Sequence, residues 1–249
     1  MIEICANGLQ SALNAQMGGA ERVELCDNLY AGGTTPSAGT IRLARKYLSI
    51  GLHVLIRPRG GDFLYNAHEM EIMKDDIRFC KDVGADGVVI GILNADGSID
   101  TGRTAELIEL ARPMYVTFHR AFDMCLDAYE ALEQLIQLNV DCLLTAGQKN
   151  KASDGVELIA QLVEQAAGRI QIMPGSGVNA DNLQWLKTRT GATAFHMTAQ
   201  SLVNSDMTYR NKDVRMGALP QIPEYKYAVS DLEKIRLIVS KDQEMTKEE

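Results

Sequence analysis

Residues able to do chemistry recur at every second position along several short apolar runs. Glu3 and Cys5, Glu24 and Cys26, Arg57 and Arg59, and Thr117 and His119 are such pairs, and His196 stands alone near the last run. In a β-strand, residues i and i+2 point to the same face. The residues between them, such as Ile4, Val23, Leu25, Ile56, Val116 and Phe118, are apolar. Each strand would therefore bury one apolar face and gather carboxylates, thiols, guanidiniums and imidazoles on the other.

Each group suggests a role. Arg57 and Arg59 flank Pro58 and precede Gly60, Gly61 and Asp62. Planar guanidiniums bind carboxylate or phosphate bidentately, so this reads as an anion-binding corner. Buried charges need partners, and Glu3 and Glu24 are on hand to neutralise the arginines. His119 is the natural general acid or base, because an ordinary imidazole titrates near neutrality. Asp123 and Arg120 are close enough in sequence to orient it or its ligand, and Glu24 is a candidate partner base. His196 is a second ligand-side histidine. Gly175-Ser-Gly-Val178 leads from a strand towards a helix, where free backbone amides can hold a phosphate. The run after His196 lacks the glycine that would complete such a site in many barrels.

The elements that must position these groups alternate along the chain. Strand-like runs lie near Glu3–Ala6, Arg22–Asp27, His53–Pro58, Gly87–Leu93, Met114–His119, Cys142–Ala146, Arg169–Pro174 and Ala192–Met197. Helical segments fall between them, with a last one over Val229–Val239. Thr35 before Pro36, Ser153 and Asn179 are expected at helix starts. Eight strands alternating with helices over 249 residues fit a parallel (β/α)8 TIM barrel in one domain. An open doubly wound sheet would show continuous apolar strands instead. Ser201–Tyr227 breaks the pattern and is expected to be an extended connection to the final helix. The charged tail Lys241–Glu249 is expected to fray.

Bulk properties restrict the partners. The chain is 46% hydrophobic and 23% charged with a net charge of −8. That balance argues against nucleic-acid backbones and anionic membranes. There is no run long enough to span a bilayer and no basic, apolar leader, so a cytoplasmic location is expected. Five cysteines without a CxxC pair argue against a disulfide framework or a zinc ribbon. Inward lysines are absent from strand ends, which disfavours Schiff-base chemistry.

Longer motifs are more specific. Arg22-Val-Glu-Leu-Cys26, Gly32-Gly-Thr-Thr-Pro-Ser37, Ile56-Arg-Pro-Arg-Gly-Gly-Asp-Phe63, Thr117-Phe-His-Arg-Ala-Phe-Asp123, Leu144-Thr-Ala-Gly-Gln148 and Gly175-Ser-Gly-Val178 strongly resemble the copper homeostasis protein CutC family. The resemblance spans roughly residues 1–212 and includes Tyr209-Arg-Asn211. It implies a TIM barrel, a cytoplasmic location and a link to copper. It also implies that Cys5 and Cys26 hold Cu(I). The chemistry agrees, since Cu(I) is soft and prefers thiolates at low coordination number. Two function classes therefore stand side by side. One is a copper-binding protein, in which the other three cysteines are core residues or, for Cys125, a remote candidate. The other is a barrel enzyme acting on a small anionic or phosphorylated metabolite. A homodimer or higher homo-oligomer is compatible with either.

Overall fold

A computed structural model describes residues 1–217, 219 and 222–246, the last two of these for their backbone alone. Eight parallel strands form a nearly closed barrel. They are β1 (Ile2–Ala6), β2 (Arg22–Leu25), β3 (Gly51–Leu55), β4 (Gly87–Ile90), β5 (Tyr115–Phe118), β6 (Cys142–Thr145), β7 (Gln171–Pro174) and β8 (Phe195–Met197). The hydrogen-bonded order is β7-β6-β5-β4-β3-β2-β1-β8. Among the described residues β7 and β8 complete the circle by packing, without a ladder between them.

Seven helices cover the outside of the barrel in turn. They are α1 (Leu9–Met17), α2 (Ala38–Tyr47), α3 (Ala67–Asp82), α4 (Thr101–Ala111), α5 (Ala128–Gln137), α6 (Val156–Ala166) and α7 (Leu183–Thr190). An eighth, α8 (Leu232–Thr246), ends the described chain. Their buried faces follow helical spacing, as with Ala128, Ala131, Leu132 and Leu135 of α5. These pack on Ile4, Val23, Val54, Val88, Val116 and Leu143, the outward-facing residues of the strands, to form the main core.

Caps set the helix starts, and three lie later than the sequence suggests. Ser37, not Thr35, caps α2 by accepting from the Thr40 amide at 3.2 Å. The Thr35 hydroxyl is engaged elsewhere, accepting from the Arg57 amide at 2.9 Å. α6 begins at Val156 rather than near Ser153, because the loop before it folds back tightly. A Cβ on Gly155 would lie 2.0 Å from the Ala146 carbonyl oxygen, so only glycine fits there. Asn179 closes a turn, taking the Asp181 amide at 2.9 Å, and α7 starts at Leu183.

The segment expected to be an extended connection carries the strands of a two-stranded antiparallel ribbon. Strands β9 (Gln200–Asn204) and β10 (Lys226–Ser230) pair directly after β8. The expected last helix begins at Leu232, not Val229. The ribbon is docked on α1 and the turn before it, where Asn7 of the turn donates to the Ala228 carbonyl at 2.9 Å and Asn14 of the helix to that of Ser230 at 2.8 Å. Residues 241–246, expected to fray, continue α8, while 247–249 and Pro220 lie outside the described residues.

Candidate functional site

Register identifies the residues that face the barrel axis. Cys5 pairs with Glu24, Glu24 with His53, and Glu3 with both Arg22 and His196. Residues two apart on a strand share its face, so Glu3, Cys5, Arg22, Glu24, His53, Leu55, Val89, Thr117, Cys142, Leu144, Met173 and His196 fill the interior. Two small apolar clusters, Cys5–Cys26–Leu55–Val89 and Cys142–Leu144–Met173–Ala194, lie among them.

A chain of buried charges runs through this interior. Arg22 Nε donates to Glu3 at 2.5 Å, and His196 Nδ1 bonds the other Glu3 oxygen at 2.7 Å. Arg22 also reaches Met173 Sδ at 3.5 Å and lies over the Tyr115 ring. Burial would raise the Glu3 carboxyl, but the His196 hydrogen bond and the Arg22 charge draw it down to about 2. Burial likewise opposes a charge on His196. The Glu24 charge and the bonds to Cys5 and Glu3 overcome it and hold the imidazole pKa well above the usual range. Glu3 is therefore a carboxylate that receives the Nδ1 proton. Replacing it by alanine would strand the Arg22 charge in the barrel. We expect Glu3→Ala to lower unfolding free energy by about 3–5 kcal/mol, the usual effect of breaking a buried pair. Urea denaturation measures it, and a change under 1 kcal/mol would show the pair to be dispensable.

The thiols sit above this chain. Cys5 Sγ and Cys26 Sγ are 3.5 Å apart, and Cys5 Sγ is 3.7 Å from Glu24 Oε1. Cys26 Sγ also reaches the Ala6 carbonyl at 3.6 Å. Donor atoms of Cys5, Glu24 and His196 all lie within 4.8 Å of one another. Because Glu3 engages Nδ1 of His196, its Nε2 is the nitrogen left for a ligand. The Cys26 bond and burial raise the Cys5 thiol well above its usual range. Burial raises the Glu24 carboxyl, with His196 opposing, and its Oε2 has no partner among the described residues.

Cys5, Glu24, Arg57, His119, Arg120, Gly177 and His196 line one cavity of about 460 Å³ at the barrel mouth. Arg59, Asp123 and Gly175 are placed differently. Arg59 turns outward, bonding Glu69 at 2.5 Å and Asp62 at 3.0 Å. β3 ends at Leu55, so strand alternation no longer governs position 59. Asp123 organises the β6 turn. It accepts from the Thr145 hydroxyl at 2.5 Å, the Ala146 and Gln148 amides at 3.0 Å and Arg120 at 2.6 Å. It does not orient His119, whose Nδ1 instead accepts from the Ala121 amide at 3.1 Å. Gly175 provides room, since a Cβ there would lie 2.5 Å from Leu144 Cδ1 and 3.3 Å from His196.

Neither arginine of the expected corner pairs with Glu3 or Glu24. Glu3 is met by Arg22, the first residue of β2. The available signal was its parity, since Arg22, Glu24 and Cys26 alternate on one strand. Phe63, against which both Arg57 and His119 pack, was also missed.

The family model of the CutC family matches residues 1–201. This chain belongs to the CutC family. A CutC family protein of Parabacteroides distasonis is 49% identical over 240 residues, covering 96% of this chain and 99% of its own length. The human copper homeostasis protein cutC homolog is 47% identical, covering 96% of this chain and 87% of its own. A crystal structure of a copper homeostasis protein CutC from Streptococcus agalactiae is similar with a TM-score of 0.76 at 38% identity, over 80% of this chain and 98% of that one. CutC membership thus accords with the barrel and with the resemblance carried by the arginine and histidine motifs. No helix among the described residues of this CutC-family chain is long and apolar enough to cross a membrane.

Proposed function

We propose that the chain binds Cu(I) at the barrel mouth through Cys5, Cys26 and His196 Nε2. The supporting observation is two sulfurs 3.5 Å apart beside a histidine whose other nitrogen is held by a carboxylate. Soft thiolates and an imidazole suit Cu(I), whereas one carboxylate in the group is too little hard-oxygen character for magnesium or calcium. The Glu3–His196 contact is the outer-shell arrangement that fixes a metal-binding imidazole and raises its basicity. Glu24, a hard donor bonded by the Cys5 thiol, is suited to accept the proton that Cys5 gives up on metallation.

This assignment has a pH signature. Metal ligands must shed their protons, and both the Cys5 thiol and the His196 imidazolium hold theirs firmly. Binding should therefore release protons, and Cu(I) affinity should strengthen as pH rises. Each proton released contributes about tenfold per pH unit. Anaerobic competition against a chromophoric Cu(I) chelator between pH 6 and 8 measures the slope. A pH-independent affinity, or X-ray absorption without sulfur scatterers, would refute the ligand set.

A further inference from the structure

The mouth has a second wall that copper leaves unexplained. Arg57 is only 4% exposed, yet among the described residues it has no carboxylate within ion-pair distance. Its Nη1 donates to the carbonyls of Ala31 at 2.8 Å and Gly33 at 2.6 Å, and its Nη2 to that of Gly61 at 2.7 Å. These carbonyls fix the guanidinium but do not neutralise it. Its Nε has no partner among the described residues. A buried cation held this way lacks a counter-charge.

His119 completes the wall. It is 6% exposed and lines the same cavity. Its Nδ1 is committed as acceptor to the Ala121 amide, which places the proton of the neutral ring on Nε2. The Nδ1–Cε1 edge lies over Gly91, where a Cβ would come within 2.3 to 2.4 Å of it, so the Nε2 edge is directed away from β4. Nε2 is buried and has no partner among the described residues. The Phe63 ring packs 5.0 Å from the His119 ring and 5.0 Å from the Arg57 guanidinium carbon, bringing both groups to one apolar floor.

We propose that Arg57 and His119 form an oxyanion subsite in the mouth, taking the carboxylate or phosphate head of a small metabolite. Arg57 supplies the counter-charge and His119 Nε2–H a hydrogen bond. His119 acts here as a neutral donor, not as the general base its residue type suggests. The cavity volume of about 460 Å³ restricts the occupant to a small molecule. This subsite is independent of copper, because neither group is a soft donor and a guanidinium repels a metal cation.

The test uses metal-free protein with malonate and inorganic phosphate as separate probes. The probe that binds should raise the melting temperature of the wild type and of Cys5→Ser/Cys26→Ser alike. Stabilisation by one probe and not the other assigns the head group. His119→Asn keeps an acceptor for the Ala121 amide and removes the Nε2 donor. It should melt like the wild type without ligand and bind the probe at least about tenfold more weakly, as losing a hydrogen bond to a charged ligand implies. If that variant fails to fold, the His119 Nε2–H resonance of the wild type takes its place and should shift on titration. The proposal is overturned if neither probe stabilises the wild type. It is equally overturned if His119→Asn binds as tightly as wild type, or if the Nε2–H resonance does not move. Loss of copper binding with anion binding intact would count against the thiol site alone.

Discussion

Serine at both Cys5 and Cys26 is expected to abolish stoichiometric Cu(I) binding. The two sulfurs are the only soft anionic donors brought together at the mouth among the described residues. Without them His196 faces a hydroxyl pair and a carboxyl, a set suited to harder ions. The loss should exceed the roughly 10–100-fold that outer-shell changes produce. Serine is nearly isosteric and can retain the contacts to Glu24 and the Ala6 carbonyl, so stability should change by no more than about 1–2 kcal/mol. Single substitutions separate the donors. Either one alone should lower affinity, and neither should alter the barrel as seen by circular dichroism. Copper bound one-to-one by the double variant, with unchanged affinity, would remove the site from this location.

The second large effect is acid lability from buried neutral histidines. Burial, with the Arg57 charge as a second cause, depresses the His119 imidazole to about 3. Burial depresses His53 to about 4, against an unfolded value of 6.5, although the Glu3 charge opposes it. Both groups have folded pKa values below their unfolded ones. The unfolded chain therefore binds a proton on each as pH falls through 6.5, while the folded chain does not. Stability from this source is complete above that pH and declines below it. Each histidine contributes a slope of about 1.4 kcal/mol per pH unit.

Other groups modulate that slope. Glu24 is raised from 4.5, so it acts in the opposite sense between 4.5 and its folded value. His196, raised in the fold, keeps its full contribution in acid and loses it only as pH rises through its own folded pKa. Glu3 adds a further loss from about 4.5 down to about 2. The net slope between pH 6.5 and 4.5 should therefore lie between one and two protons, about 1.4–2.7 kcal/mol per pH unit. Urea midpoints collected across this interval test it, and His119→Asn should remove one proton from the slope. A flat profile would mean that the two imidazoles are not held neutral.

The barrel was readable because eight alternating runs each placed their apolar residues on one face and their polar ones on the other. Strand positions came out to within a few residues for that reason. Helix starts shifted where a capping group was already engaged, as Thr35 is by the Arg57 amide. The β9–β10 ribbon was not readable. Leu202, Val203 and Tyr227 are exposed, so the strands lack a clear apolar alternation, and their pairing joins residues 22 to 30 positions apart. In the site, alternation put Cys5, Glu24, His119 and His196 at one mouth. It failed at Arg59, beyond the end of β3, and at Asp123, which is held by backbone amides of the β6 turn and the Thr145 hydroxyl as well as by Arg120. The character of His119 was also hidden. Residue type suggested a proton carrier, and neither the Ala121 amide from which Nδ1 accepts nor the burial that depresses the imidazole was visible in the sequence.

The absence of a ladder between β7 and β8 has a mechanical meaning. The wall of the cylinder is slit lengthwise, and His196 stands on one lip of the slit with Gly175 on the other. The backbone of β8 is clamped on its β1 side alone. Any widening of the slit must carry His196 with it, relative to Leu144 and the strands beyond. The imidazole therefore keeps its place beside Cys5, which stands on the same lip through β1, and the degree of freedom left is the bore between that lip and the one bearing Leu144 and Gly175. A side chain wedged in at position 175 would turn it like a screw.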